Sequence, residues 1–387
     1  MKITAIKTVV VNADLRNWIF VRVETDVAGL VGLGEATLEF QTRGVVGAIE
    51  DLAPLVIGQD PRRIEHLWQT MYRYPFFKGG VVTMSALSGI DQALHDLKAK
   101  DLGIPLWQLL GGLSRERLRM YDHLGGGDAA AVYDDAAAES FAERAARSRA
   151  DGFSAVKILA VGKTAPLDGL AALKDAERLM AAARAGAGDD MDIMIDLHGR
   201  TSAAMAIQYA KVLEPFRPFF LEEPCQPEDP DGIARVARST PIPIAAGERL
   251  THRREFLPLL TSQAIAVAQP DVCHAGGLTE VRRIAALCDT FGVSMAPHNP
   301  LGPVATMVNI HLGFAMPNFL IQEVMRSDVP WRDSIVTGVT PIQGGYVEPS
   351  LASGIGVEID FKAAEKHPFR EAPPIQWRHH DGAVADW

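Results

Sequence analysis

The sequence predicts an α/β protein, a βα-barrel joined to a smaller α+β domain, and three observations carry that prediction. First, short apolar runs end one after another in an acid or a histidine: Asp196, Glu222, Glu248, Asp271, His298 and Glu323. Second, the steps between these residues are 26, 26, 23, 27 and 25, about the length of a strand, a turn, a helix and a second turn. Third, the polar group arrives each time where the strand runs out. In a βα-barrel that end of every strand opens on the active-site mouth.

The first ~115 residues read differently. Residues 2–11 and 18–25 alternate as strands, with residues 12–17 as the loop between them, and Gly29, Gly32 and Gly34 punctuate a third strand ending at Glu35. From 43 to 101 the period becomes helical: one helix is expected to start at Pro61 behind an Asp60 N-cap, another to run from Ala86 to Lys100. Barrel strands follow at 117–124 and 153–159, with a helix over 134–150 between them and another over 169–184. Lys163 to Asp168 reads as an exposed loop. The expected division is an α+β domain over 1–115, the barrel over 116–340, and a turn-rich segment over 341–387, too short to stand alone, that returns to the first domain.

Composition narrows the function. Apolar residues make up 48% and charged residues 22% of the 387, the balance of a folded globular enzyme. A net charge of −10 argues against nucleic acid as a partner, because phosphate binding needs a basic surface. Cys225, Cys273 and Cys288 are too few and scattered for a disulfide framework, which fits a reduced cytoplasm. The first seven residues lack a signal-peptide core, and no apolar run approaches the ~20 residues of a membrane span. A small-molecule substrate is expected, with no nucleic acid and no membrane, in a homo-oligomer.

The ladder suggests its chemistry. Asp196, Glu222 and Glu248 on successive strand ends would converge, and like charges that close need a counter-cation. Three carboxylates suit Mg²⁺, which keeps its other positions for water or substrate oxygens. Taken singly, each acid could equally be a solvated loop residue or a helix N-cap; three at 26-residue steps are harder to explain that way. Glu223 should point away from Glu222 and hold a neighbouring loop. His198, two residues after Asp196, should face the same side, beside the metal. Asp271 and His298 end adjacent strands, and a carboxylate beside an imidazole makes a general base. Glu323 closes the ring, as an acid that orients substrate or as a rim salt bridge. These parts suit removal of a proton next to a carboxylate. A second imidazole opposite the base favours loss of a hydroxyl over return of the proton.

The motifs Asp196-Leu-His-Gly-Arg200, Leu221-Glu-Glu-Pro224, Ala246-Gly-Glu-Arg249, Gln269-Pro-Asp-Val-Cys-His-Ala-Gly-Gly277, Ala296-Pro-His-Asn-Pro-Leu-Gly-Pro303 and Ile321-Gln-Glu323 resemble the enolase superfamily, mandelate-racemase subgroup. So do Ile57-Gly-Gln-Asp-Pro61, Ser88-Gly-Ile-Asp-Gln-Ala-Leu94 and the end of the chain, Trp377 to Trp387. The resemblance implies a modified TIM-type (β/α)7β barrel with an N-terminal cap. It also implies Mg²⁺ on Asp196, Glu222 and Glu248, the His298–Asp271 base, His198 as the acid and Glu323 beside the intermediate. It implies dehydration of an aldonate, D-galactonate foremost and gluconate, arabinonate or a 6-deoxy acid as alternatives, to a 2-keto-3-deoxy acid. Arg16, Trp18, Lys157, His123 and Arg249 are expected at the substrate, with loops near Arg16 to Trp18 and Tyr74 to Gly80 setting specificity. One departure stands out: racemases of the subgroup carry Lys-x-Lys where this chain has Lys157-Ile-Leu159. Without the second lysine, two-base racemisation and cycloisomerisation are disfavoured.

Overall fold

The computed structural model describes residues 1–125, 138–326, 328–371, 377–379 and 381–386. The N-terminal unit opens with β1 (Ile3–Ala13) and β2 (Arg16–Thr25), an antiparallel hairpin in which Asn12 pairs with Asn17 and Ala13 with Arg16. The loop expected over 12–17 shrinks to Asp14 and Leu15, with Asp14 in the left-handed region (φ 61°) that a two-residue hairpin turn requires. β3 (Val31–Glu35) adds to β2.

Three helices cover this sheet: α1 (Thr42–Val56), α2 (Ile64–Arg73) and α3 (Val81–Leu102), followed by the short α4 (Leu106–Leu109). Asp60 does not cap a helix at Pro61. Its Oδ1 accepts from Arg62 N (3.0 Å) in a side-chain turn, and α2 starts three residues later than expected. α3 is buried nearly all round because the cap sheet lies on one side and the barrel on the other. Gly32 and Gly34 allow that fit: a Cβ on either would come within about 2 Å of a carbonyl oxygen of α3.

The barrel is built from β4 (Leu118–His123), β5 (Ala155–Ile158), β6 (Asp192–Asp196), β7 (Leu221–Glu222), β8 (Ile244–Ala246), β9 (Val267–Ala268), β10 (Ser294–Met295) and β11 (Gln322–Val324). All run parallel in chain order and β11 pairs with β4. A bridge from Met295 to Phe319 closes the ring. Between them run α5 (Ala138–Ala150), α6 (Leu170–Ala187), α7 (Ala203–Leu213), α8 (Pro230–Ala237), α9 (Arg253–Thr261), α10 (Gly277–Thr290) and α11 (Pro303–Ala315). Among the described residues, eight strands with seven intervening helices make the modified (β/α)7β barrel. Residues 134–137 of the expected helix lie outside the described residues. The stretch after β5 is not wholly exposed: Thr164 is buried against Tyr209 (2.8 Å). Among the described residues no helix is long and apolar enough to cross a membrane.

Tyr121, Ala155, Met194, Phe220, Ala245, Val267, Ala296 and Ile321 form one apolar cluster, a side chain from each strand or the residue beside it. This plug fills the barrel, so anything binding must bind at its rim. The last segment runs back to the N-terminal unit: Gly354 O accepts from Leu106 N (2.8 Å), His367 O from Asn12 N (2.9 Å) and Arg370 O from Asn17 Nδ2 (2.8 Å).

Candidate active site

Strand alternation explains where the site lies. Two residues beyond the plug on each strand, the side chain again points inward, one layer nearer the mouth. Counting on from Tyr121, Ala155, Met194, Phe220, Ala296 and Ile321 gives His123, Lys157, Asp196, Glu222, His298 and Glu323. His123, Asp196 and Glu222 end their strands. Glu248, Asp271 and His298 sit two or three residues past theirs, and Glu323 lies within β11.

Asp196, Glu222 and Glu248 each offer an oxygen within 4.8 Å of the other two. Asp196 Oδ2, Glu222 Oε2 and Glu248 Oε2 are buried without a hydrogen-bond donor. Two unit charges 4 Å apart repel by on the order of 4 kcal/mol even at an effective dielectric of 20. Burial, then the neighbouring carboxylates, pushes Glu222 and Glu248 well above the ordinary carboxylate range. Unpartnered acceptor oxygens aimed at one point in a shell of carboxylates fit a hard divalent cation.

Lys157 sits among these carboxylates as a buried cation. Its buried ammonium lies 2.9 Å from Glu222 Oε1, 2.8 Å from Glu323 Oε1 and 3.5 Å from Asp196 Oδ2. It lines the cavity, yet its charge is committed to carboxylates. Burial alone would raise Glu323; Lys157, His298 and His123 outweigh it and hold the group down at about 2. Glu323 Oε2 also accepts from Asn299 N (2.7 Å), beside His298. His123 accepts from Gly125 N (3.1 Å) and is pushed down to about 3 by burial and Lys157, so a neutral ring faces the cavity.

Two further imidazoles flank the carboxylates. His298 Nδ1 is 2.7 Å from Asp271 Oδ2 and its Nε2 is 3.5 Å from Glu248 Oε2. Burial would lower His298, but the Asp271 hydrogen bond and the charges of Glu323 and Asp271 prevail, raising it to about 9. Asp271 is in turn fixed by Cys273 N (2.6 Å), with His274 Nε2 3.6 Å away. His198 lies on the Asp196 side, its Nε2 3.2 Å from Asp196 Oδ2 though off the axis of a hydrogen bond. Burial lowers its pKa.

A cavity of about 1060 Å³ lies over these groups, lined by barrel residues and by Leu15 to Asn17, Leu38 to Gly44 and the tail residues Phe369 and Glu371. Arg16 is on its wall, paired with Glu39 (3.2 Å) and donating to Pro300 O. Trp18 must be corrected. Its side chain is fully buried, edge-on to Trp331 (5.4 Å), and does not reach the cavity, because its place on β2 turns it toward the barrel top. Residues 74–80 are also absent from the cavity wall; Tyr74, Phe76 and Phe77 point to solvent, and the segment after β3 takes their expected place. Arg249 lines the cavity, but its guanidinium grips Glu223 Oε1 (3.1 Å) and Oε2 (2.7 Å) and Gln226 (2.8 Å). Glu223 therefore holds the next loop, as expected.

Sequence reasoning passed over the supports. Glu35 of β3 is wholly buried and accepts from Gly302 N (2.8 Å) and Ala305 N (2.9 Å), capping α11 just after the His298 loop. Asp91 of α3 does the same for α10 through Thr279 N (3.0 Å), and Gln92 reaches Val272 O (3.0 Å), beside Asp271. The only signal for these was a carboxylate or amide in an otherwise apolar run.

Comparison with known proteins follows the geometry. Residues 2–111 match the family model described as mandelate racemase/muconate lactonizing enzyme, N-terminal domain, and residues 140–364 match the enolase C-terminal domain-like model. The chain is 40% identical over 380 residues to the D-galactonate dehydratase of Ralstonia nicotianae, covering 96% of each protein. It is 40% identical over 397 residues to that of Xanthomonas oryzae pv. oryzae, covering 100% of each. Among solved structures, a mandelate racemase/muconate lactonizing enzyme-like protein from Roseovarius sp. superposes with a TM-score of 0.90 at 31% identity, covering 96% of this chain and 97% of that one. An enolase from Agrobacterium radiobacter, bound to sodium and L-malate, superposes with a TM-score of 0.88 at 30% identity and 100% coverage of both.

Proposed function

The chain belongs to the enolase superfamily, in its mandelate racemase/muconate lactonizing enzyme branch, and from that premise we propose an acid-sugar dehydratase that turns an aldonate, D-galactonate foremost, into its 2-keto-3-deoxy acid. It is an enzyme, a hydro-lyase of that superfamily. The observation that carries the proposal is the pair of imidazoles on either side of the Asp196–Glu222–Glu248 carboxylates, one with a carboxylate at its Nδ1 and the other with a guanidinium there.

Asp196, Glu222 and Glu248 would hold a divalent cation such as Mg²⁺, which would supply positive charge to offset the charge that builds when the carbon next to a carboxylate loses its proton. Asp271 accepts the Nδ1 proton of His298, which leaves Nε2 free to take the proton from C2. The electron pair of that C–H bond moves toward the carboxylate, near Lys157 and Glu323. From the other side His198 gives a proton to the 3-hydroxyl; the C3–O bond breaks with its electrons on oxygen, and water departs. The resulting enol tautomerises to the 2-keto-3-deoxy acid.

Two features favour this substrate class. Leu159 stands on the cavity wall where an opposing lysine base would be needed for racemisation. And among the described residues each guanidinium on that wall already faces a carboxylate: Arg16 with Glu39, Arg43 with Glu371, Arg249 with Glu223. A sugar diacid would need a cation for its far end; an aldonate, with a neutral far end, does not. The test is incubation with Mg²⁺ and a panel of acid sugars, assayed for 2-keto-3-deoxy products. D-Galactonate should be turned over fastest. No product from any aldonate would overturn the proposal.

A further inference from the structure

His198 leaves β6 in the left-handed region (φ 51°), a conformation that needs outside support in a residue with a side chain. Two arginines provide it. Arg249 Nη2 donates to the His198 carbonyl (3.3 Å), and Arg200 Nη2 lies 3.1 Å from His198 Nδ1. A guanidinium carries donors only. The ring nitrogen facing it must accept, so in the neutral imidazole the proton sits on Nε2. That nitrogen is the one on the cavity side, near Asp196.

Arg200 is not a surface charge that happens to be near. It is 2% exposed, its Nη1 donates to Val161 O beyond β5 (3.1 Å), and its Cζ lies 4.9 Å over the ring of Trp377, itself buried, in the C-terminal segment. The end of the chain thus clamps the arginine from behind, and the arginine addresses the histidine in front.

We propose that Arg200, backed by Trp377, is a positioning residue that locks His198 in the tautomer whose Nε2–H points into the cavity, as a donor to the hydroxyl that leaves. The lock itself follows from geometry; its use in elimination rests on the dehydratase reading. As the Nε2 proton is shared with the departing oxygen, negative charge builds on the ring, and the guanidinium at Nδ1 is placed to offset it.

The test is imidazole ¹⁵N–¹H correlation NMR on the Mg²⁺-loaded protein with ¹⁵N-labelled histidine, without substrate, using H198N to identify the resonances. The wild type should show a protonated Nε2 and a bare Nδ1 at His198. In R200M the two shifts should move toward each other as the tautomers mix, while R200K, which keeps a donor, should retain much of the wild-type pattern. Should R200M not fold, R200Q replaces it, its amide being too short to reach the ring. With D-galactonate, R200M should lose about tenfold or more in kcat, with less change in KM and in exchange of the C2 proton. A protonated Nδ1 in the wild type, or an unchanged pattern in R200M and R200Q, would overturn the proposal. The NMR result does not depend on turnover, so a wrong lock and a wrong substrate class give different failures.

Discussion

His298 and His198 lie on opposite sides of one carboxylate cluster, and they differ in what faces Nδ1. His298 meets the carboxylate of Asp271 at 2.7 Å; His198 meets the guanidinium of Arg200 at 3.1 Å. An acceptor at Nδ1 draws the proton there and leaves Nε2 as a base. A donor at Nδ1 forces the proton to Nε2 and leaves a donor. In the proposed mechanism the same side chain is given opposite duties by the residue behind it, not by the substrate in front. The electrostatics agree in sign: His298 is raised to about 9, whereas burial keeps His198 below its ordinary value.

The sharpest way to break this contrast is to remove the base. H298N should lose both C2-proton exchange in D2O and product formation by about 10³-fold, since an amide cannot accept that proton. Retention of exchange within tenfold of wild type would mean that another group is the base. D271N is next. The base must be unprotonated to act, so activity falls as pH drops through the His298 pKa. Replacing the carboxylate removes the bond and charge that raise this pKa, so the acid limb of kcat/KM should move to lower pH, with kcat down about 10- to 100-fold. An unmoved limb would show that Asp271 does not tune the base. H198N should cut elimination by about 10²-fold yet spare exchange more, and equal losses would remove the distinction between the two rings. The smallest effect belongs to a residue outside the contrast. W18F should cost about 1–2 kcal/mol in urea unfolding and leave KM unchanged, because Trp18 packs in the core. A raised KM with unchanged stability would return it to the substrate.

Much of the site was legible because a barrel strand has few ways to present a polar residue. Asp196, Glu222 and Glu323 could be read from an apolar run that stops at an acid, since alternation and burial force such a side chain to the mouth. Trp18 was misread for a related reason: strand periodicity gives the face, but not what covers it, and Trp331 arrives from more than 300 residues away. Lys157 was placed at the substrate, and its neighbours turned out to be three carboxylates from three other strands. The helix expected at Pro61 failed because Asp60 has two local options, an N-cap and a side-chain turn, and takes the turn, so the helix begins at Ile64.

By itself the chain's order of residues determined the repeating βα unit, the residues that reach the rim and the excess of negative charge there, because these follow from period, spacing and composition along one strand at a time. Only the folded molecule decided which nitrogen of each histidine is addressed, that Glu35, Asp91 and Gln92 of the N-terminal unit seat the loops of the base, and that the tail reaches Arg200. Those depend on groups brought within 3 to 5 Å from opposite ends of the chain, and hydrogen-bond direction has no trace in linear spacing.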